Sequence, residues 1–71
     1  MSQNQNTADR VSSDVLVGLK AIGETVGLTT NEAVLRWIHE EDLPARKMGR
    51  AWRSRRSVIE RWYDQKLLEQ V

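Results

Sequence analysis

The helical periodicity of the chain breaks at Gly27 and restarts three residues later, at Thr30. Before the break, Leu16, Leu19, Ile22 and Val26 recur at helical spacing. This predicts a first helix over about Gly18 to Val26 and leaves Val15 to Val17 open to an extended path. Gly27 ends the helix, since glycine adopts the left-handed C′ conformation cheaply. Only Leu28 and Thr29 then precede Thr30, a good N-cap, and Glu32 falls in the next first turn, where the helix dipole favours an acid. Ala33, Val34, Trp37 and Ile38 make one apolar face of a second helix, from Asn31 to about Glu41. Two short helices joined by so little chain are forced to be neighbours, and the pattern reads as a helix-turn-helix.

Downstream, Leu43-Pro44 closes the second helix, because the residue before proline avoids the helical region. Glycine first in a two-residue loop suits a type II′ turn, and Gly49-Arg50 fits. Strands are expected at about 45–48 and 51–54, with Arg50 at the tip. A two-residue loop puts Met48 and Trp52 on opposite faces, although both have the character of core residues. The last segment is helical again, with Val58, Ile59, Trp62, Tyr63 and Leu67 along one side. Ser57 with Glu60 matches a capping box, and Ser54 is a rival N-cap. The order is helix, helix, hairpin, helix: a mainly α fold with a small β-hairpin, spanning 15–71 after a polar tail over 1–14 expected to be disordered.

With 71 residues the chain holds one small domain. It has no cysteine and a single histidine, His39, so neither a disulfide nor a cysteine or histidine metal cluster is expected. No apolar run approaches the roughly 20 residues of a membrane span, and the polar N-terminus has no signal-peptide core. A cytoplasmic location with no membrane contact is the expectation.

Net charge is only +1, yet residues 1–45 carry −4, residues 46–56 carry +6 and residues 57–71 carry −1. The six are Arg46, Lys47, Arg50, Arg53, Arg55 and Arg56, with no acid between them. Such crowding costs energy unless something negative lies opposite. A DNA duplex, with one phosphate charge per ~1.7 Å of axis, is a natural partner. The competing explanation is a solvated surface paired with Glu40, Glu41 and Asp42. Arg55 and Arg56 are expected at the start of the last helix, where the dipole disfavours cations and a nearby phosphate would reverse the sign.

The segment "LPARKMGRAWRSRRSVIERWY" and the earlier "VGLTTNEAVLRWI" resemble the excisionase family of winged helix-turn-helix DNA-binding proteins, relatives of the MerR-type domain. The resemblance runs from about Leu16 to Tyr63. It departs from the family at Gly18-Leu19-Lys20-Ala21, where the family commonly has a Ser or Thr cap and a Glu-Ala-Ala run, and at Asn31-Glu32, where an Arg or Ser is frequent. "SVIERWYDQ" is also similar to the small terminase subunit of tailed phages. The resemblance implies sequence-specific binding of double-stranded DNA by a phage or mobile-element protein. Its role would be that of an excisionase-like recombination directionality factor, a small transcriptional regulator or, alternatively, a packaging subunit. It implies the second helix in the major groove and the hairpin wing on the backbone or minor groove, with no cofactor.

On the second helix the side opposite the apolar face carries Glu32, Leu35, Arg36 and His39, with Thr29, Thr30 and Asn31 at its N-terminus. Arg36 suits guanine or a phosphate, Glu32 a cytosine amino group or merely the helix dipole, and Leu35 a thymine methyl or packing against the wing or tail. His39 has the place of a plain surface residue or a phosphate contact; nothing supplies it with a catalytic partner, and the chain lacks a phosphate-binding glycine loop or a nucleophile-base set. Trp37, Trp52 and Trp62 suit core packing better than stacking on single strands. The apolar stretch "WYDQKLLEQV" suits pairing with another chain: a second copy, an integrase or a terminase, or another target as an interaction adaptor.

Overall fold

A computed structural model describes residues 14–69 of the chain. Six elements follow one another: strand β1 (Val15–Val17), helix α1 (Leu19–Thr25), helix α2 (Asn31–Glu40), strands β2 (Arg46–Met48) and β3 (Ala51–Arg55), and helix α3 (Arg56–Glu69). The fold is therefore a small mixed α/β domain, with three helices and a three-stranded antiparallel sheet of order β1-β3-β2. The helix, helix, hairpin, helix order stands. The sheet is larger than a hairpin because Val15–Val17 pairs with β3, Leu16 lying opposite Ser54.

Leu16 therefore belongs to a strand, although its spacing to Leu19 suits a helix. It is buried with Ile22, Val34, Leu43 and Ile59, and these five side chains form the core. Burying each contributes roughly 1.5–3 kcal/mol. Leu19, Ala21, Val26, Leu28, Trp37, Ile38, Ala45, Trp52 and Trp62 pack around them, half-buried.

Helix α1 ends as the sequence predicts. Leu28 N–H donates to the Gly23 carbonyl at 2.8 Å and Gly27 N–H to the Glu24 carbonyl at 3.4 Å, the paired bonds of a Schellman motif. Thr30 then caps α2, its hydroxyl oxygen accepting from Ala33 N–H at 3.1 Å. The two helices cross closely at Gly23, where a Cβ would lie 2.7 Å from Val34 Cγ2 and 3.0 Å from the Leu28 carbonyl oxygen. Only glycine fits that gap.

The hairpin has the expected two-residue loop: Met48 lies opposite Ala51, Gly49 has φ of 69° and Arg50 stays at negative φ, as type II′ requires. Strand alternation settles the conflict over Met48 and Trp52. Trp52 packs on the core and Met48 faces out, 55% exposed.

The start of α3 differs from both sequence-based candidates. Neither Ser57 nor Ser54 is the N-cap. Ser54 Oγ donates to the Pro44 carbonyl at 2.6 Å, pinning the α2–β2 connection to the sheet. The cap comes from Asp14, which the sequence reading left in the tail. Its carboxylate accepts from Ser57 N–H and from Ser57 Oγ, both at 2.9 Å. Asp14 is thus part of the domain, and the rest of the predicted tail, 1–13, lies outside the described residues.

On α3 only Ile59 is buried, with Trp62 half-buried beside it. Val58, Tyr63 and Leu67, predicted on the same apolar side, are exposed.

Candidate nucleic-acid interface

Two groups of residues make up the candidate interface: the solvent side of α2 with its N-terminus, and the cations of residues 46–56. Among the first group, Thr29, Thr30, Asn31, Glu32, Arg36 and His39 are all exposed, while Leu35 is half-buried. Ala33, Trp37 and Ile38 are half-buried and Val34 buried, so α2 is amphipathic as its spacing requires. Glu32, Arg36 and His39, at i, i+4 and i+7, form one stripe along the helix. Neither Glu32 nor Arg36 belongs to an ion pair among the described residues, which leaves the Arg36 guanidinium open for an incoming partner.

What holds this helix in place is packing at both ends. Near its N-terminus Val34 sits against Gly23 of α1. Near its C-terminus Trp37 meets Trp62 of α3, ring centroids 6.1 Å apart and planes inclined by 56°. Trp62 Nε1 donates to the Glu41 carbonyl at 3.2 Å. Both tryptophans are therefore committed to structure, in line with the core assignment. Thr29, Thr30 and Asn31 line a groove of about 240 Å³ with Leu19, Leu28 and Val34, and both Lys20 and Glu24 line it too. Lys20 was not among the candidate residues named from the sequence. Its signal was an exposed cation on α1, placed beside the α2 N-terminus only by the tight turn.

The six cations do not form one cluster. Directly opposed residues leave a sheet on the same face. Arg46 is opposite Arg53, and Lys47 is opposite Trp52. Because Trp52 and Leu16 define the inner face, Arg46, Arg53 and Arg55 lie on the outer face and Lys47 does not share it. Arg50 sits in the turn. Arg55 is the last residue of β3 rather than the start of a helix, and its Nη1 pairs with Asp14 at 3.3 Å. Arg56 is the exposed first residue of α3.

Asp14 explains how cations are tolerated there. Its carboxyl is held below the ordinary carboxylate range, first by the Ser57 backbone N–H and next by the Ser57 hydroxyl; desolvation opposes these, and Arg55 lowers it further by smaller amounts. The acid expected at a helix N-terminus is present, supplied from 43 positions earlier in the chain.

The acids nearest in sequence do not neutralise the hairpin. Glu41 instead pairs with Lys66 at 3.9 Å, and among the described residues Arg46, Lys47, Arg50, Arg53 and Arg56 are in no ion pair. All five are exposed. The described residues hold no group of three or more His, Cys, Asp or Glu side chains placed for a metal ion, and none of their helices is long and apolar enough to cross a membrane. In comparison with known proteins, no family model, curated protein or solved structure matches this chain.

Proposed function

We propose that the chain is a winged helix-turn-helix that binds double-stranded DNA sequence-specifically, with α2 as the reading helix and the β2–β3 hairpin as the wing. The observation that carries this reading is the set of five exposed cations in and beside the hairpin that no acid of the described residues neutralises. A protein that keeps such charge unanswered gains by releasing counterions from a polyanion. A capped helix with an exposed Glu32–Arg36–His39 stripe supports the reading role. An excisionase-like recombination factor or small transcriptional regulator of a phage or mobile element, acting in the cytoplasm, fits these features best. A small-terminase packaging role uses the same contacts.

The test separates reading from gripping. Arg36→Ala should weaken the cognate duplex by roughly 1–3 kcal/mol and relax its sequence preference, whereas Arg50→Ala should weaken every duplex about equally and flatten the salt dependence. If Arg36→Ala leaves discrimination intact, α2 is not the reading helix. The exposed Tyr63, Leu67 and Leu68 at the end of α3 support cooperative binding through a second copy. Sedimentation of the full chain against a Leu67→Glu, Leu68→Glu variant decides that point.

A further inference from the structure

The outer face of the sheet is a row-by-row arrangement of guanidinium groups, and the rows differ in one respect. In the row of Val15 and Arg55, the arginine is met by the Asp14 carboxylate at 3.3 Å. In the next row, Val17, Arg53 and Arg46 stand side by side across β1, β3 and β2. Arg46 and Arg53 are directly opposed, which puts their Cβ atoms ~4.5–5.5 Å apart on one face. Both are exposed, and no acid among the described residues pairs with either. Their neighbours on this face are Val17, Met48, Ala51 and Arg55, and the carboxylate at that end of the sheet, Asp14, is engaged by Arg55 and Ser57. Two like charges placed opposite each other destabilise a strand pair. The sheet therefore answers one arginine with an internal oxyanion and leaves a pair of them facing solvent.

We propose that Arg46 and Arg53 form a clamp for a single backbone phosphate of a nucleic acid. This deepens the DNA-binding reading and rests on it. The two non-bridging oxygens of a phosphodiester each accept from one guanidinium fork, a geometry that Lys, a point charge on a flexible stem, does not reproduce. The anion also removes the repulsion between the two strands, so binding stiffens the hairpin. It follows that the wing grips through the flat outer face of β2 and β3, with Arg50 in the turn acting separately.

The experiment is a salt titration of duplex binding by the full chain and by Arg46→Ala, Arg53→Ala, the double variant and Arg46→Lys. Either single alanine should cost about tenfold in affinity, the scale of one charge-assisted hydrogen bond. The double should lose little more than either single, and its slope of log K against log salt should fall by ~0.9, one phosphate. Arg46→Lys should not restore affinity. Additive losses with a slope change of ~1.8 in the double variant would mean two independent phosphate contacts, overturning the clamp while leaving DNA binding in place. A wild-type chain that binds no duplex would overturn both. Without DNA, the alanine variants should melt at or above the wild-type temperature, and a marked fall would refute the stated repulsion.

Discussion

Gly23→Ala tests the helix-helix contact that positions α2. In an exposed helix interior the change would stabilise by roughly 0.8–1 kcal/mol, because alanine loses less backbone entropy than glycine. Here the new methyl would meet Val34 Cγ2 at 2.7 Å and the Leu28 carbonyl oxygen at 3.0 Å, against a comfortable carbon separation of about 3.5–4.0 Å. Neither neighbour gives way easily. Val34 is 1% exposed and β-branched, with one strongly preferred rotamer in a helix, and Leu28 is tied to Gly23 by its own backbone bond. Overpacking of this kind costs about 1–3 kcal/mol. The net expectation is a loss of about 1 kcal/mol, or a fall of ~4–8 °C in Tm for a domain of this size. Urea melts of Gly23→Ala, Val34→Ala and the double variant complete the measurement. Removing Cγ2 should rescue alanine at 23, giving a favourable coupling within the ~0.5–3 kcal/mol seen for residues in contact. If Gly23→Ala stabilises the protein, or the two changes simply add, the close approach does not constrain the helix pair.

Asp14→Ala should lower Tm by uncapping α3, and Asp14→Asn should lower it less, since asparagine still accepts from the helix N-terminus. Because the native carboxyl titrates below its ordinary value near 3.8, the stability it adds is complete above that value. That stability is lost as pH falls through the lowered native one. Wild type and Asp14→Ala should therefore converge in Tm at acid pH, and a gap that widens on acidification would contradict the assignment. Gly49→Ala places a side chain at φ of 69° with no neighbour within 4 Å, so its cost is conformational, ~1–3 kcal/mol, read as a shifted urea midpoint at constant m.

What could be read from the sequence was local. Thr30, Gly27 and the Gly49-Arg50 turn act on residues within four positions, and each produced the element expected of it. Helix α2 and its exposed stripe followed from the same short-range spacing. One failure was local, the apolar side of α3 on which Val58, Tyr63 and Leu67 are exposed; the others were contacts across long stretches of chain. The extended path of Val15–Val17 was open in the sequence, but its pairing was not: the partner of Leu16, Ser54, lies 38 positions away. Asp14 looked like tail because its ligands, Arg55 and Ser57, are more than 40 positions distant. The division of the six cations between two sheet faces, a turn and a helix start depends on register, which charge counting does not see.

The strand at the centre of the sheet is the last of the three to be synthesised, since β3 follows both β1 and β2 and pairs with each. On a ribosome, β1 would emerge and wait with nothing to hydrogen-bond to until residues 51–55 clear the exit tunnel. The sheet then closes from both sides, and only that closure delivers Asp14 to the end of α3. Closure of the sheet is thus a late step, and a chain truncated before residue 51 should leave the β1 and β2 segments protease-sensitive.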